Sequence, residues 1–303
     1  MERIRYFMQR FGAFAVVCLV TGLLVIGCKK NDDIVTPQTD AQATDDAAAT
    51  IGAAIAINNG GAFDQVADVM DVAASVGLYG SAGRTIAGYT MSPDSAVKSY
   101  DDTTGWWTVA IDRQHGNQSG LYYSNYHRVY KYQFLKNDGN FQKYYSVRTD
   151  TAYSIKHQIV SGSGTVETPR VDNKLLSLDG AWTATNTNTP TVTINSTAPY
   201  NRTSSDTVVW PMRNAQRTLN SSLTLNFSNV TGLRGSGLNW HRKTSGTVTG
   251  TYHATVTFQK GDAYNEKTID RTFTITLGGI KPVVKIGGVT YLVDAETGEV
   301  AAP

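Results

Sequence analysis

The residues able to do chemistry in this chain are dispersed. His115, His127, His157, His241 and His253 include no pair at the helical spacing a metal requires, and no HExxH is present. A serine nucleophile would call for a GxSxG elbow, and phosphate binding for a glycine-rich loop; neither occurs. Glu296 and Glu299 fall in Asp294-Ala295-Glu296-Thr297-Gly298-Glu299, a turn between terminal strands, whereas glycoside hydrolysis needs two carboxylates facing across a cleft. Asn137-Asp138-Gly139-Asn140 offers oxygens to calcium but is too short for an EF-hand loop and reads as a hairpin turn. No catalytic residue, metal site or cofactor is therefore expected. Aromatic rings are the exception, with five tryptophans and sixteen tyrosines. Flat rings stack on sugar faces, and the adjacent Trp106 and Trp107 would point to opposite sides of a strand, leaving one ring to meet a ligand. These two are the candidate ligand-binding residues.

The amino-terminal end carries a different chemistry. Arg3, Arg5 and Arg10 precede a mostly apolar, uncharged run from Phe11 to Gly27, after which Lys29 and Lys30 restore charge. A basic head, a short apolar core and a small residue before the cut describe a secretory signal. Val25-Ile26-Gly27-Cys28 resembles the bacterial lipobox. The resemblance implies cleavage after Gly27 and acylation of Cys28, which becomes the first residue of the mature chain. Cys18 is preceded by the bulky Val17 and does not fit. Each buried methylene of an acyl chain contributes ~0.8 kcal/mol, so more than one chain makes attachment durable. The competing reading is an uncleaved anchor, for which seventeen residues lie at the lower edge of the ~17–25 needed to span a bilayer. Lys29-Lys30-Asn31-Asp32-Asp33 resembles the charged stretch behind the lipidated cysteine of Bacteroidetes surface lipoproteins. That resemblance implies an outer-membrane, surface-exposed location. Asp94-Ser95-Ala96, Asp102-Thr103-Thr104, Asp150-Thr151-Ala152 and Asp206-Thr207-Val208 resemble the short O-glycosylation motif of the same bacteria.

Composition narrows the partners. Without residues 1–27, 24 basic and 24 acidic residues remain, so the mature chain is formally neutral. It lacks the basic face that nucleic acid requires. Its single remaining cysteine, Cys28, allows no internal disulfide, leaving core size and strand pairing to hold an exported protein together.

The elements follow from periodicity. Residues 28–44 are polar and aperiodic and read as a flexible tether. An alanine-rich helix over 45–57 ends at Asn58-Asn59-Gly60-Gly61. A second, over 62–76, places Phe63, Val66, Met70 and Ala73 on one face and Asp64, Asp68, Asp71 and Ser75 on another, which reads as solvated. From Gly105 the period becomes 2. Tyr122, Tyr126, Tyr130, Tyr132 and Phe134 share a strand face with Ser124 and Arg128, and a turn at 137–140 closes a hairpin. The tyrosine stripe reads as core. In 247–258, Val248, Tyr252, Ala254, Val256 and Phe258 oppose threonines and His253, and the chain ends in a short hairpin around Gly287-Gly288.

These patterns imply a mainly β fold: an antiparallel sheet curled into a barrel or half-barrel, or folded as a sandwich, preceded by two short helices. The expected organisation is signal peptide 1–27, tether 28–44, helical or irregular segment 45–104 that plugs or covers the sheet, and β domain 105–303. The functional expectation is a membrane-tethered, non-enzymatic domain that binds a carbohydrate, apolar ligand or envelope protein, or serves the envelope structurally. Carriage of an apolar ligand in a half-barrel and an extracytoplasmic hydrolase are the alternatives.

Overall fold

A computed structural model describes residues 40–57, 60–73, 84–86, 89–91, 95–116, 123–147, 149–167, 171–210, 215–234 and 244–301. The signal, Cys28 and most of the expected tether lie outside the described residues. So do Tyr122, Ser75 and the glycosylation-like Asp94.

Two helices open the fold: α1 (Asp40–Ile55) and α2 (Ala62–Ala73). The first begins at Asp40, inside the stretch expected to be tether, because an alanine-isoleucine stripe starts there. Ala43, Ala47, Ile51 and Ile55 recur every fourth residue and are all fully buried. Gly60, at φ 59°, supplies the left-handed residue that turns the chain between the helices.

The second helix corrects the sequence reading. Of its acidic face, Asp64 and Asp68 are not solvated: they are 2% and 1% exposed, while the Asp71 side chain lies outside the described residues. Tertiary enclosure overrides amphipathic patterning here. The helix packs against α1 on one side and the sheet on the other, so every side chain from Ala62 to Val69 is buried. A helix so enclosed can carry acids only if the protein supplies their partners.

Thirteen strands of the described residues join one antiparallel sheet, with the strands in chain order except for one short strand off the path. Its path starts at β3 (Ser95–Asp101), β4 (Trp106–Gly116) and β5 (Tyr123–Leu135). It continues through β9 (Ser154–Glu167), β10 (Val171–Thr185), β11 (Thr191–Trp210), β12 (Ala215–Leu233), β13 (Ser245–Lys260) and β14 (Ala263–Leu277). β15 (Val283–Ile286), β16 (Val289–Val293) and β17 (Val300–Ala301) finish it. The short β6 (Phe141–Gln142) pairs with β5. Two small hairpins, β1 (Arg84–Ile86) with β2 (Tyr89–Met91) and β7 (Ser146–Val147) with β8 (Asp150–Thr151), stand apart. Regular strand thus appears within 45–104, and the sheet's edge begins at Ser95 rather than Gly105. The sheet stays open, with β3 and β17 as its edges.

Strands of up to 20 residues are long enough to need bending. Register shifts supply it, at Val129/Tyr130, at Asp179/Ala181 and between Ile194 and Tyr200. At Gly180 the backbones close up: a Cβ there would lie 2.8 Å from the Tyr200 Cα. The inner face of the sheet meets the helices, α1 against β14, β15 and β17, and α2 against β9. Alternation along β12 and β13 decides which residues do so. Leu219, Leu223, Leu225, Val248, Tyr252 and Val256 are buried, while Thr249, Thr251 and His253 face solvent on the other side.

Turn chemistry matches the sequence in two places. Asn137-Asp138-Gly139-Asn140 joins β5 to β6, with Gly139 at φ 84° and the Asp138 carboxylate accepting from the Asn140 amide at 2.9 Å. Gly287 and Gly288, at φ 57° and 81°, make the tight turn between β15 and β16.

Candidate ligand-binding site at the aromatic rim

Register brings together rings that are far apart in sequence. Tyr100 pairs with Trp107, Trp107 with Tyr132, Tyr132 with His157, and His157 with Trp182, so one row crosses β3, β4, β5, β9 and β10 on the inner face. Centroids lie 5.0 Å apart for Tyr100 and Trp107, 4.8 Å for Tyr132 and His157, and 4.9 Å for the stacked His157 and Trp182. Such pairs add about 0.5–1.5 kcal/mol beyond their burial. The row runs from the centre of the core to the rim of the sheet.

At the core end it meets a polar lock. Arg128, in the middle of the tyrosine stripe, is 5% exposed. Its guanidinium donates to Asp64 of α2 at 3.1 Å, to the Tyr130 hydroxyl at 3.3 Å and to the Gly60 carbonyl at 2.6 Å. Burial opposes the charge, but Tyr130 and Asp64 outweigh it and raise the arginine pKa. Glycine suits position 60 by its φ of 59° and because a Cβ there, 1.8 Å from the Arg128 Nη2, would displace the guanidinium. Further ties fasten α1: Arg271 donates to Asp40 at 2.6 Å, Tyr291 to Asp45 at 2.9 Å, and Arg217 pairs with Asp46.

His157 lies beside this lock at 1% exposure. Neither ring nitrogen has a partner among the described residues, and burial pushes its pKa down to about 3. It is a neutral ring within an aromatic stack. The indole N–H of Trp182 is likewise buried without an acceptor among the described residues.

The rim end is built differently. Trp107 and Tyr100 are half-buried, and Tyr144, in the segment after β6, is 54% exposed. Trp107 stands 6.0 Å from Tyr144, with planes tilted by 41°, and the tilt to Tyr100 is 45°. The three rings surround the ammonium of Lys143, at 4.9 Å from Tyr100, 5.7 Å from Tyr144 and 6.0 Å from Trp107.

Hydrogen bonds fix this segment. The Trp107 indole donates to the Lys143 carbonyl at 2.6 Å. The Gln142 amide donates to the Tyr144 and Tyr145 carbonyls at 2.8 and 2.9 Å. Buried Tyr145 donates to the Thr187 carbonyl at 2.5 Å and packs edge-on against Phe134. On the other side, the β3–β4 turn is wound round Asp101, whose carboxylate accepts from the amide of Thr103 at 2.9 Å and from the Thr104 hydroxyl at 2.6 Å. Those bonds hold the Asp101 carboxyl below its usual pKa. Gly105, at φ 73°, lets the Phe141 ring lie against the turn, where a Cβ would come within 2.4 Å.

Of the two tryptophans singled out in the sequence, Trp107 therefore joins the cluster. Trp106, also half-buried, sits on the outer face opposite Asp101 and Gln133. Sequence reading missed Tyr100, Lys143 and Tyr144 as its companions. Only Tyr144 carried a local sign, standing beside Phe141 and Tyr145 just past a turn. The tyrosine stripe is core, with Tyr130 and Tyr132 at 1% and 0% exposure. His127 and His253 occupy the outer face and contact Asp112 and Asp270 at 2.6 and 2.5 Å. Glu296 and Glu299 are exposed in a turn that the Asp294 carboxylate organises by accepting from the Glu296 and Thr297 amides. A cleft of about 660 Å³ beside this turn is lined by Gly278, Ile280, Lys281 and Asp294, among others.

Among the described residues no group of three or more His, Cys, Asp or Glu side chains could hold a metal ion. No described helix is long and apolar enough to cross a membrane. Compared with protein-family models, curated proteins and solved structures, the chain matches none.

Proposed function

We propose that this chain is a lipid-anchored protein of the outer membrane whose β ectodomain binds a ligand at the cell surface without catalysing a reaction. The anchor reading rests on Val25-Ile26-Gly27-Cys28. The binding reading rests on one observation: three aromatic side chains from β3, β4 and the segment after β6 converge at the rim of the sheet, with the Trp107 indole fixed by a hydrogen bond to the Lys143 carbonyl. A rigid, partly exposed cluster meets a ligand with little ordering cost, which is how aromatic residues contribute affinity efficiently.

Carriage of an apolar molecule on the inner face is supported by the open, curved sheet and its helical cover. It is opposed by how that space is used, since α1 and α2 fill it with buried Ala, Ile, Phe and Val side chains. A carrier would have to release Arg128 from Asp64 before accepting a guest. Lipid extraction from natively purified protein tests that alternative directly.

Two experiments test the main reading. Replacing Cys28 by Ala and fractionating cells should move the protein from the membrane to the soluble fraction; unchanged membrane association would refute the anchor. Wild-type protein and Trp107→Ala should be compared on polysaccharide arrays, small-molecule panels and surface pull-downs. Retention of binding that depends on Trp107 is expected, and turnover of a substrate without any such binding would overturn the assignment.

A further inference from the structure

We propose that the cup formed by Tyr100, Trp107 and Tyr144 is a binding site for an organic cation of the quaternary-ammonium type, occupied in this state by the chain's own Lys143. The inference rests on the rim being the ligand site and names the class of ligand that fits it.

The shape of the cluster separates a cation from a sugar. A pyranose ring stacks best on an open, flat aromatic face and uses its hydroxyls to reach nearby donors. Here the planes are inclined by 45° and 41° to Trp107, so the rings close around a point instead of extending a platform. The indole N–H of Trp107 already donates to the Lys143 carbonyl, so it cannot also donate in full to a sugar hydroxyl. A cation without N–H groups needs no such donor. It is attracted by the negative faces of the rings, and several rings around one positive centre form the cage that recognises choline-like groups.

The site holds a positive charge already. The Lys143 ammonium sits 4.9–6.0 Å from all three ring centroids. Among the described residues it makes no ion pair with a carboxylate, so the rings are what hold it. Asp101 and Asp102 lie close enough to raise the pKa of the Tyr100 hydroxyl, behind burial as the larger cause, which gives the rim a negative fringe. Lys143 reaches the cup on a flexible four-carbon stem from an exposed position. Its backbone, by contrast, is fastened through Trp107 and Gln142. The ammonium can therefore swing out while the walls stay in place. An incoming trimethylammonium group is more weakly hydrated than a primary ammonium and loses less on leaving water, so it competes favourably for the same space.

Titration of the full chain with choline chloride by calorimetry, against sodium chloride, tests this. Weak binding is expected for the wild type, and Lys143→Ala should bind about three- to tenfold more tightly because the internal competitor is gone. Trp107→Ala and Tyr144→Leu should weaken binding at least threefold; Tyr144 is exposed enough that its variant folds normally, which circular dichroism checks. Phosphatidylcholine vesicles, compared with phosphatidylglycerol vesicles, distinguish a lipid headgroup from a free quaternary ammonium as the source of the cation. Either positive arm supports the site. Absence of binding to both choline and phosphatidylcholine vesicles, in wild type and Lys143→Ala alike, overturns it, as does binding that Trp107→Ala leaves unchanged. If neutral saccharides bind through Trp107 while choline does not, the cation fails and the rim stands as a binding site. If nothing binds through Trp107, both readings fall.

Discussion

Tyr100 and Trp182 stand at opposite ends of one cross-strand row, yet Trp182 meets only protein while Tyr100 shares its neighbourhood with solvent. At the core end an arginine is answered by a carboxylate and a carbonyl on the helical hairpin. At the rim end, among the described residues, a lysine is answered by ring faces alone. The difference lies in enclosure. A charge removed from water on all sides must be matched by hydrogen-bonded partners, whereas one at the edge keeps part of its hydration and can exchange its contacts for others. The same residue types therefore build a fixed lock in one place and an exchangeable contact in the other.

Breaking the lock should produce the largest effect. Arg128→Met removes the guanidinium that pairs with the buried Asp64 carboxylate and should cost about 3–5 kcal/mol in urea unfolding. A loss below about 1 kcal/mol would show that the helices hold by apolar packing alone. Within the row, Trp182→Ala should cost about 3–5 kcal/mol, and Trp107→Ala less than half as much because its ring is only half-buried. Equal losses would erase the distinction between core and rim.

The next effect is a dependence on pH. His157 is held neutral, with a folded pKa near 3 against roughly 6.5 in an unfolded chain. Between those values the unfolded state binds the extra proton, so stability is fully present above pH ~6.5 and declines as the pH falls, by up to about 1.4 kcal/mol per unit. His157→Phe keeps a ring in the stack and should flatten that part of the profile. An unchanged profile would place the acid sensitivity elsewhere. The smallest effect belongs to Tyr144→Ser, expected to change stability by less than about 0.5 kcal/mol while weakening ligand binding. A large melting shift would mark the rim as structural.

Much of the β architecture was legible because strand periodicity is local. Val248, Tyr252, Ala254 and Val256 alternate with threonines whatever lies beneath them, and the glycines of 139, 287 and 288 announce their turns. The acidic face of α2 misled for the opposite reason. Asp64 and Asp68 have the pattern of a solvated helix, and nothing near them in sequence shows that Arg128, sixty-four positions on, faces the same space. The aromatic rim was half legible. Trp106-Trp107 attracted notice as a doublet, but Lys143 and Tyr144 are 36 and 37 positions from Trp107 and reach it only through the β5–β6 hairpin.

The sequence by itself determined the strand alternation, the turns, the antiparallel order of neighbours and the apolar stripe of α1. Each of these depends on contacts within a few residues or on the short connections that make successive strands pair. The tertiary structure alone decided that the sheet stays open, that α2 is buried from Ala62 to Val69, and which rings share a row. Register and enclosure depend on pairings between distant segments, and a shift of one residue would have sent every ring in a strand to the other face.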